Sequence, residues 1–285
     1  MAKSYWASDL SATNKLSAFL AEEIYPRLKS ERKIEDFKSF KYETILDRTK
    51  QNAGEDVDFI MPGQQIYRVD EKTAMYYMNT PLATFSFELG YVKNNEFHPG
   101  WFVSPQKRTT HYLLIWVTAD PNKYSIPRGV VGKEFKEMRN KQLQEFDPQD
   151  ISKLDILMVS RYALQGYLRV CGLDTVEMTN FAKSEIGKHL YDTDWKQIKI
   201  TPEEYLAMAG KKKPGWSYRK LNAAMNFRIN RSMNERPCNL LINRSFLEEK
   251  FTTLKMRLTK SNHGDWDLRL FLIGTKERLF PMFTY

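Results

Sequence analysis

Asp56-Val57-Asp58-Phe59-Ile60-Met61-Pro62-Gly63-Gln64-Gln65-Ile66-Tyr67-Arg68-Val69-Asp70-Glu71-Lys72 decides how the chain is read. Two strand-like runs flank Pro62-Gly63, a dipeptide that favours a tight reversal, so the segment predicts an antiparallel hairpin. Alternation along a strand puts Val57, Phe59 and Met61 on one face and Asp56, Asp58 and Ile60 on the other. On the second run Tyr67 and Val69 separate Arg68, Asp70 and Lys72, so Asp70 and Lys72 share a face. Carboxylates and a lysine then converge. That set suits phosphodiester cleavage, because hard oxygen ligands hold Mg²⁺ while a lysine orients or deprotonates a water or stabilises a pentavalent phosphate.

An acid two residues before a lysine is common in a chain in which 28% of residues are charged: such triplets start at Glu31, Asp36, Asp70, Glu134, Asp194 and Glu248. The triplet alone therefore decides nothing. Asp70 differs because it ends a strand whose hairpin partner carries the Asp56/Asp58 pair.

With 285 residues, 42% hydrophobic and 13% aromatic, the chain can bury a sizeable core as one large domain or two small ones. No apolar run approaches the ~20 residues needed to span a bilayer, and Met1 to Leu10 lack the apolar core of a secretion signal. A cytoplasmic protein with no membrane partner is expected. Cys171 and Cys238 are far apart, which points to two reduced thiols and not to a disulfide framework or a structural zinc site. The four histidines show no paired metal spacing, and Gly129-Val130-Val131-Gly132-Lys133 is too short for a phosphate-binding loop.

The net charge of +9 suggests an anionic partner, and its distribution sharpens the suggestion. Lys211, Lys212, Lys213, Arg219, Lys220, Arg228 and Arg231 occur without one acidic residue between them, interleaved with Trp216, Tyr218 and Phe227. Cations neutralise phosphates and aromatic faces stack on bases, so this run reads as a nucleic-acid-binding stretch. Leu221, Met225 and Ile229 within it recur at helical spacing and read as core.

Thr13 to Tyr25 reads as an amphipathic helix, with Leu16, Phe19, Leu20 and Ile24 on one stripe and Pro26 ending or kinking it. Glu23 falls inside that stripe and would need a partner, whereas Glu22 falls outside it. Phe40 to Leu46 reads as a strand, then come the acidic hairpin and strands at Leu82 to Tyr91 and His111 to Thr118, the last apolar enough to be central. Gly132 to Gln144 reads as a helix, Leu154 to Val159 as a strand, and a helix follows through Cys171. Further on are a helix at Thr201 to Ala209, a strand at Asn239 to Asn243, and apolar runs at Leu268 to Ile273 and Leu279 to Phe283. The expected class is α+β or mixed α/β, a central mixed sheet flanked by helices with the site at one edge.

Helix with a glutamate, strand, Asp-bearing strand, then Asp-x-Lys strand resembles the restriction-endonuclease-like superfamily, whose signature is written PD-(D/E)XK. The resemblance covers about residues 13 to 118. It implies a restriction-endonuclease-like core, with Asp58 and Asp70 as ligands of Mg²⁺ or Mn²⁺, Lys72 as the catalytic lysine and Glu23 as the helix glutamate. No proline precedes Asp58, Asp56 competes with it for the ligand role, and Glu71 should point to the opposite face. Residues 1–125 would then form the nuclease-like core and 126–285 a basic region of helices and additional strands, separate from the core or continuous with it. The implied activity is metal-dependent hydrolysis of phosphodiester bonds, in DNA before RNA; the alternative is a non-catalytic nucleic-acid-binding or protein-interaction module on the same fold. Oligomeric state is not readable from the sequence.

Overall fold

The computed structural model describes residues 5–40, 44–188, 198–208, 223–229, 237–261 and 265–271. The chain opens with helix α1 (Tyr5–Phe19), a π-helical turn (Leu20–Ile24) and helix α2 (Tyr25–Ser30). The helix expected over Thr13 to Tyr25 is the middle of this longer rod. Pro26 does not end it, because it sits in the first turn of α2, where a missing N–H is tolerated and the wide turn before it makes room for the ring. The added residue of the π turn also shifts the phase of the buried stripe. Leu16, Phe19 and Leu20 continue into Ile24, Tyr25 and Leu28, all buried, and Glu22 and Glu23 are carried out to solvent.

Strand β1 (Asp36–Ser39) precedes helix α3 (Ile45–Asn52). The strand expected at Phe40 to Leu46 is therefore replaced, over its described part, by a helix start. Thr44 accepts from the Asp47 backbone while Asp47 accepts from the Thr44 backbone, and this capping box outweighs the apolar pair Ile45-Leu46, which stays exposed. The hairpin follows as β2 (Val57–Ile60) and β3 (Ile66–Thr73), closed by Met61 N to Gln65 O at 2.8 Å. Then come β4 (Thr84–Lys93), β5 (Glu96–Pro99), β6 (His111–Ala119), helices α4 (Pro121–Tyr124) and α5 (Gly132–Glu145), β7 (Ile151–Ser160), α6 (Arg161–Val170) and α7 (Thr175–Lys188). The remainder is β8 (Ile198–Ile200), α8 (Pro202–Met208), β9 (Met225–Ile229), β10 (Cys238–Asn243), α9 (Arg244–Lys250), β11 (Thr252–Lys260) and β12 (Trp266–Phe271).

Among the described residues these strands make two sheets. One is seven-stranded and mixed, in the order β1-β2-β3-β6-β7-β11-β12, with β3 and β6 parallel and every other neighbour antiparallel. The other is five-stranded, β5-β4-β10-β9-β8. The class is mixed α+β, a large mixed sheet flanked by helices. β6 is central, and all of its residues except Thr118 are buried. Strands from both sides of residue 125 pair directly, β6 with β7 and β4 with β10.

The faces of the large sheet bury different partners. Val57, Val69, Leu113, Ile115 and Met158 join α1, α2 and α5 in one core. Tyr112, Leu114, Leu157 and Val159 face the second sheet through Phe87 and Leu240, with α6 and α7 completing the other core. Each fully buried Leu or Phe contributes ~1.5–3 kcal/mol relative to exposure, so the two cores together lock the register of β3 between them.

Met225 and Ile229, expected on a helix, lie instead on β9. Met225, Phe227 and Ile229 also alternate at period two, and pairing with β8 and β10 selects that reading. Cys171 and Cys238 are free thiols, and no helix among the described residues is long and apolar enough to cross a membrane. The apolar run Leu279 to Phe283 lies outside the described residues.

Candidate active site

The site forms where the inner face of β3 meets the end of β2. Helix α3 runs into Gly54, whose φ of +75° suits glycine. A Cβ there would collide with Thr109 Oγ1 and stand 3.4 Å from Asp70 Oδ2, so this glycine lets the backbone close over the aspartate. Thr109 Oγ1 donates to Gly54 O at 2.6 Å and fixes the approach. Asp56 then enters the ladder, its N–H donating to Val69 O at 2.8 Å.

Register decides which aspartate meets Asp70. Val57 stands opposite Val69 and Asp58 opposite Arg68, so the position facing Asp70 falls to Asp56. Asp56 and Asp70 lie within hydrogen-bonding reach of each other, and Asp56 Oδ2 accepts the Glu71 N–H at 2.8 Å. Asp58 shares their face but is engaged elsewhere, with Lys50 Nζ 3.6 Å from its Oδ2. Burial raises the Asp58 carboxyl above its ordinary pKa, and Lys50 opposes this.

Asp70 has a side chain only 3% exposed, and its Oδ1 lies 2.5 Å from Lys72 Nζ. Its Oδ2 is buried and receives no hydrogen bond among the described residues. An oxygen in that state is costly unless a cation or a proton occupies the position. Burial first, then the adjacent Asp70 charge, push the Asp56 carboxyl well above the usual range, and Lys72 offsets this only in part. For Lys72 burial pulls downward, but Asp70, Asp56 and Glu88 prevail and hold the ammonium above its ordinary value. In this arrangement Lys72 is a charged donor, not a general base. Its Nζ also lies 5.0 Å from the centre of the Trp101 ring.

Glu71 points to the other face. It accepts from the hydroxyls of Ser17 and Tyr25, tying α1 and α2 to β3 directly behind the site. Burial raises its carboxyl while those two hydroxyls oppose the rise. Tyr112, opposite Asp70 across the parallel β3/β6 pair, is buried among Phe87, Trp101 and Phe102, and burial raises its phenol. Lys107 is lowered by burial although the same carboxylates act on it.

Of the residues singled out in the sequence, Asp70 and Lys72 are brought together and Asp58 is placed one register step away. Glu23 does not reach the site: its side chain is 47% exposed and 3.9 Å from Arg27, because the π turn rotates it off the buried stripe. Lys211, Lys212, Lys213, Trp216, Arg219, Lys220 and Arg231 lie outside the described residues. Arg228 is on β9, between Lys199 of β8 and Asn239 of β10. Glu88 and Trp101 arrive from the second sheet and the loop after it, and no local sequence signal marks them.

No group of three His, Cys, Asp or Glu residues among the described ones is arranged to hold a metal ion. What the site offers is two carboxylates in contact, one with an orphaned oxygen. That donor set fits Mg²⁺, which commonly takes one or two carboxylates and completes its shell with waters and substrate phosphate. No family model matches the chain, and no curated protein or solved structure matches it either.

Proposed function

We propose that the protein is a metal-dependent nuclease that hydrolyses phosphodiester bonds, with DNA as the substrate implied by its resemblance to the restriction-endonuclease-like superfamily. The observation that carries this reading is the buried, unsatisfied Asp70 Oδ2 held against the Asp56 carboxyl, with the Lys72 ammonium on the same aspartate. Such an arrangement stores like-charge repulsion and desolvation, a cost that a cation would relieve.

Asp56 and Asp70 would hold the ion, which supplies positive charge for the scissile phosphate and lowers the pKa of a bound water. Lys72, kept protonated by its neighbours, positions water and stabilises negative charge on phosphate oxygens. Trp101 covers one side of the lysine and Tyr112 packs against Trp101, and the lower local polarity strengthens each of these interactions. Ser17 and Tyr25 brace the strand from behind through Glu71. The superfamily's helix glutamate has no counterpart in Glu23, and a carboxylate from the second sheet, Glu88, acts on Lys72 instead.

The salt bridge that already occupies Asp70 Oδ1 favours a second reading, a non-catalytic nucleic-acid-binding module on this fold. Incubation of the purified protein with linear, circular and single-stranded DNA and with RNA, with Mg²⁺, with Mn²⁺ and with chelator, separates the two. Chelator-sensitive cleavage supports the nuclease; binding without cleavage under every condition supports the module.

A further inference from the structure

We propose that Lys50, Arg68 and Arg108, fanned around the buried Glu55, form a phosphate-binding surface that holds the backbone of duplex nucleic acid beside the Asp56–Asp70 pair. The choice of ligand rests on the phosphodiester reading; the surface itself rests on its own geometry. The Glu55 side chain has no exposure, yet three cations reach it: Lys50 Nζ at 2.5 Å, Arg108 Nε at 3.1 Å and Arg68 Nε at 3.9 Å. Counting Asp58, which also meets Lys50, the cluster has three cations and two carboxylates, one positive charge more than neutrality needs.

The two arginines reach solvent, while Lys50 Nζ lies among Glu55, Asp58 and the Phe40 ring. Lys50, Arg68 and Arg108 have side chains 22%, 39% and 55% exposed. Both arginines approach Glu55 through Nε as ion pairs, and Glu55 Oε1 accepts no hydrogen bond among the described residues, so neither guanidinium is tied down by the carboxylate. Planar pairs of N–H groups of this kind match the oxygens of a phosphate. A single cation would neutralise the buried Glu55, and Lys50 already stands 2.5 Å from it, so the two arginines with solvent-exposed side chains exceed what burying this one carboxylate requires.

Placement supplies the second argument. Arg68 is two residues before Asp70 on the same face of β3, about 7 Å along the strand. Arg108 follows Lys107, whose stem packs at Gly54, the residue that covers Asp70 Oδ2. A strand with one phosphate at Asp70 would therefore run its neighbouring phosphates past the fan. Glu55 acts as the positioning residue, since its buried charge draws the arginines to this place before the ligand arrives.

The test uses the full chain and short duplexes of two unrelated sequences, with binding followed by fluorescence anisotropy across salt concentrations in chelator, so that cleavage cannot intervene. Arg68→Gln/Arg108→Gln should weaken both duplexes equally and lower the salt slope by up to about 1.8, at about 0.9 for each phosphate that is no longer neutralised. Arg68→Lys/Arg108→Lys should retain most of the slope, and Arg108→Gln alone, at the most exposed position, should lower it by about 0.9. Unchanged slope in the two glutamine variants would overturn the proposal. So would tight binding of polyglutamate without binding of duplex, which would assign the fan to an acidic protein partner. Cleavage assayed separately keeps the two readings apart: loss of slope without any cleavage keeps the surface and removes the nuclease, whereas cleavage with unchanged slope does the reverse.

Discussion

Lys72 Nζ sits 2.5 Å from Asp70 Oδ1, two residues away on the same strand, while the other oxygen of that aspartate is buried without a donor among the described residues. One carboxylate thus carries both the strongest contact of the site and its clearest deficit. Removing the lysine should expose the deficit fully. Lys72→Met is expected to destabilise the fold by about 2 kcal/mol, below the ~3–5 kcal/mol for breaking a fully buried pair because a quarter of the lysine side chain is exposed. Asp70→Asn/Lys72→Met should recover part of that loss. Urea titrations of the two single variants and the double variant measure the coupling, and strict additivity would refute it.

The two aspartates of β2 should separate by function. Asp56→Asn is expected to reduce cleavage at least about 100-fold, the scale of losing one charge-stabilising group at a reaction centre, whereas Asp58→Asn should leave turnover nearly unchanged. Single-turnover cleavage of a labelled duplex by each variant checks this, and the reverse ranking would move the metal site toward Asp58.

Asp56→Asn should at the same time stabilise the protein, by about 1 kcal/mol or about 2 °C in Tm at pH 7 for a chain of this size. The sign follows from a carboxyl whose folded pKa is raised: the folded state holds the proton longer than the unfolded state, so ionisation costs stability as pH rises from near 4 toward the folded pKa. The gain from asparagine should therefore vanish below about pH 4 and grow as pH increases. Thermal melts of both proteins from acid to neutral pH display the divergence; parallel curves would contradict it.

His111 supplies a dependence of opposite sign. It is buried, stacked on Tyr67 with ring centres 3.9 Å apart, and burial lowers its pKa to about 4. A base with a depressed folded pKa contributes stability that is complete above its unfolded pKa, near 6.5, and is lost as pH falls toward 4. His111→Phe should flatten the acid limb by about 3 kcal/mol between those values. Urea titrations at several pH values compare the slopes.

The hairpin was legible because a Pro-Gly reversal, alternation and an acidic start occur within a few residues, and β6 because nearly every residue in it is apolar. Three other features were hidden for physical reasons. Glu23 counts as part of a helical stripe at regular spacing, and only the π turn at Leu20–Ile24 takes it off that stripe. Ile45-Leu46 looks strand-like until the Thr44/Asp47 capping box sets the backbone. Whether Asp56 or Asp58 faces Asp70 depends on a register that the sequence left open and that the Val57–Val69 pair fixes. Glu88, and Glu55 apart from its near neighbour Lys50, gain their meaning from residues distant in the chain, which no local pattern encodes.

Cleavage of supercoiled DNA in Mg²⁺ by the wild-type protein and by Asp70→Asn, purified side by side and matched for folding by circular dichroism, decides whether Asp70 holds a catalytic ion. The amide keeps the shape of Asp70 and removes the charge that would hold the ion. Nicked or linear product should appear only with the wild type and disappear with chelator. Equal Mg²⁺-dependent cleavage by both proteins, or none by either with Mg²⁺ or Mn²⁺, would contradict that role for Asp70.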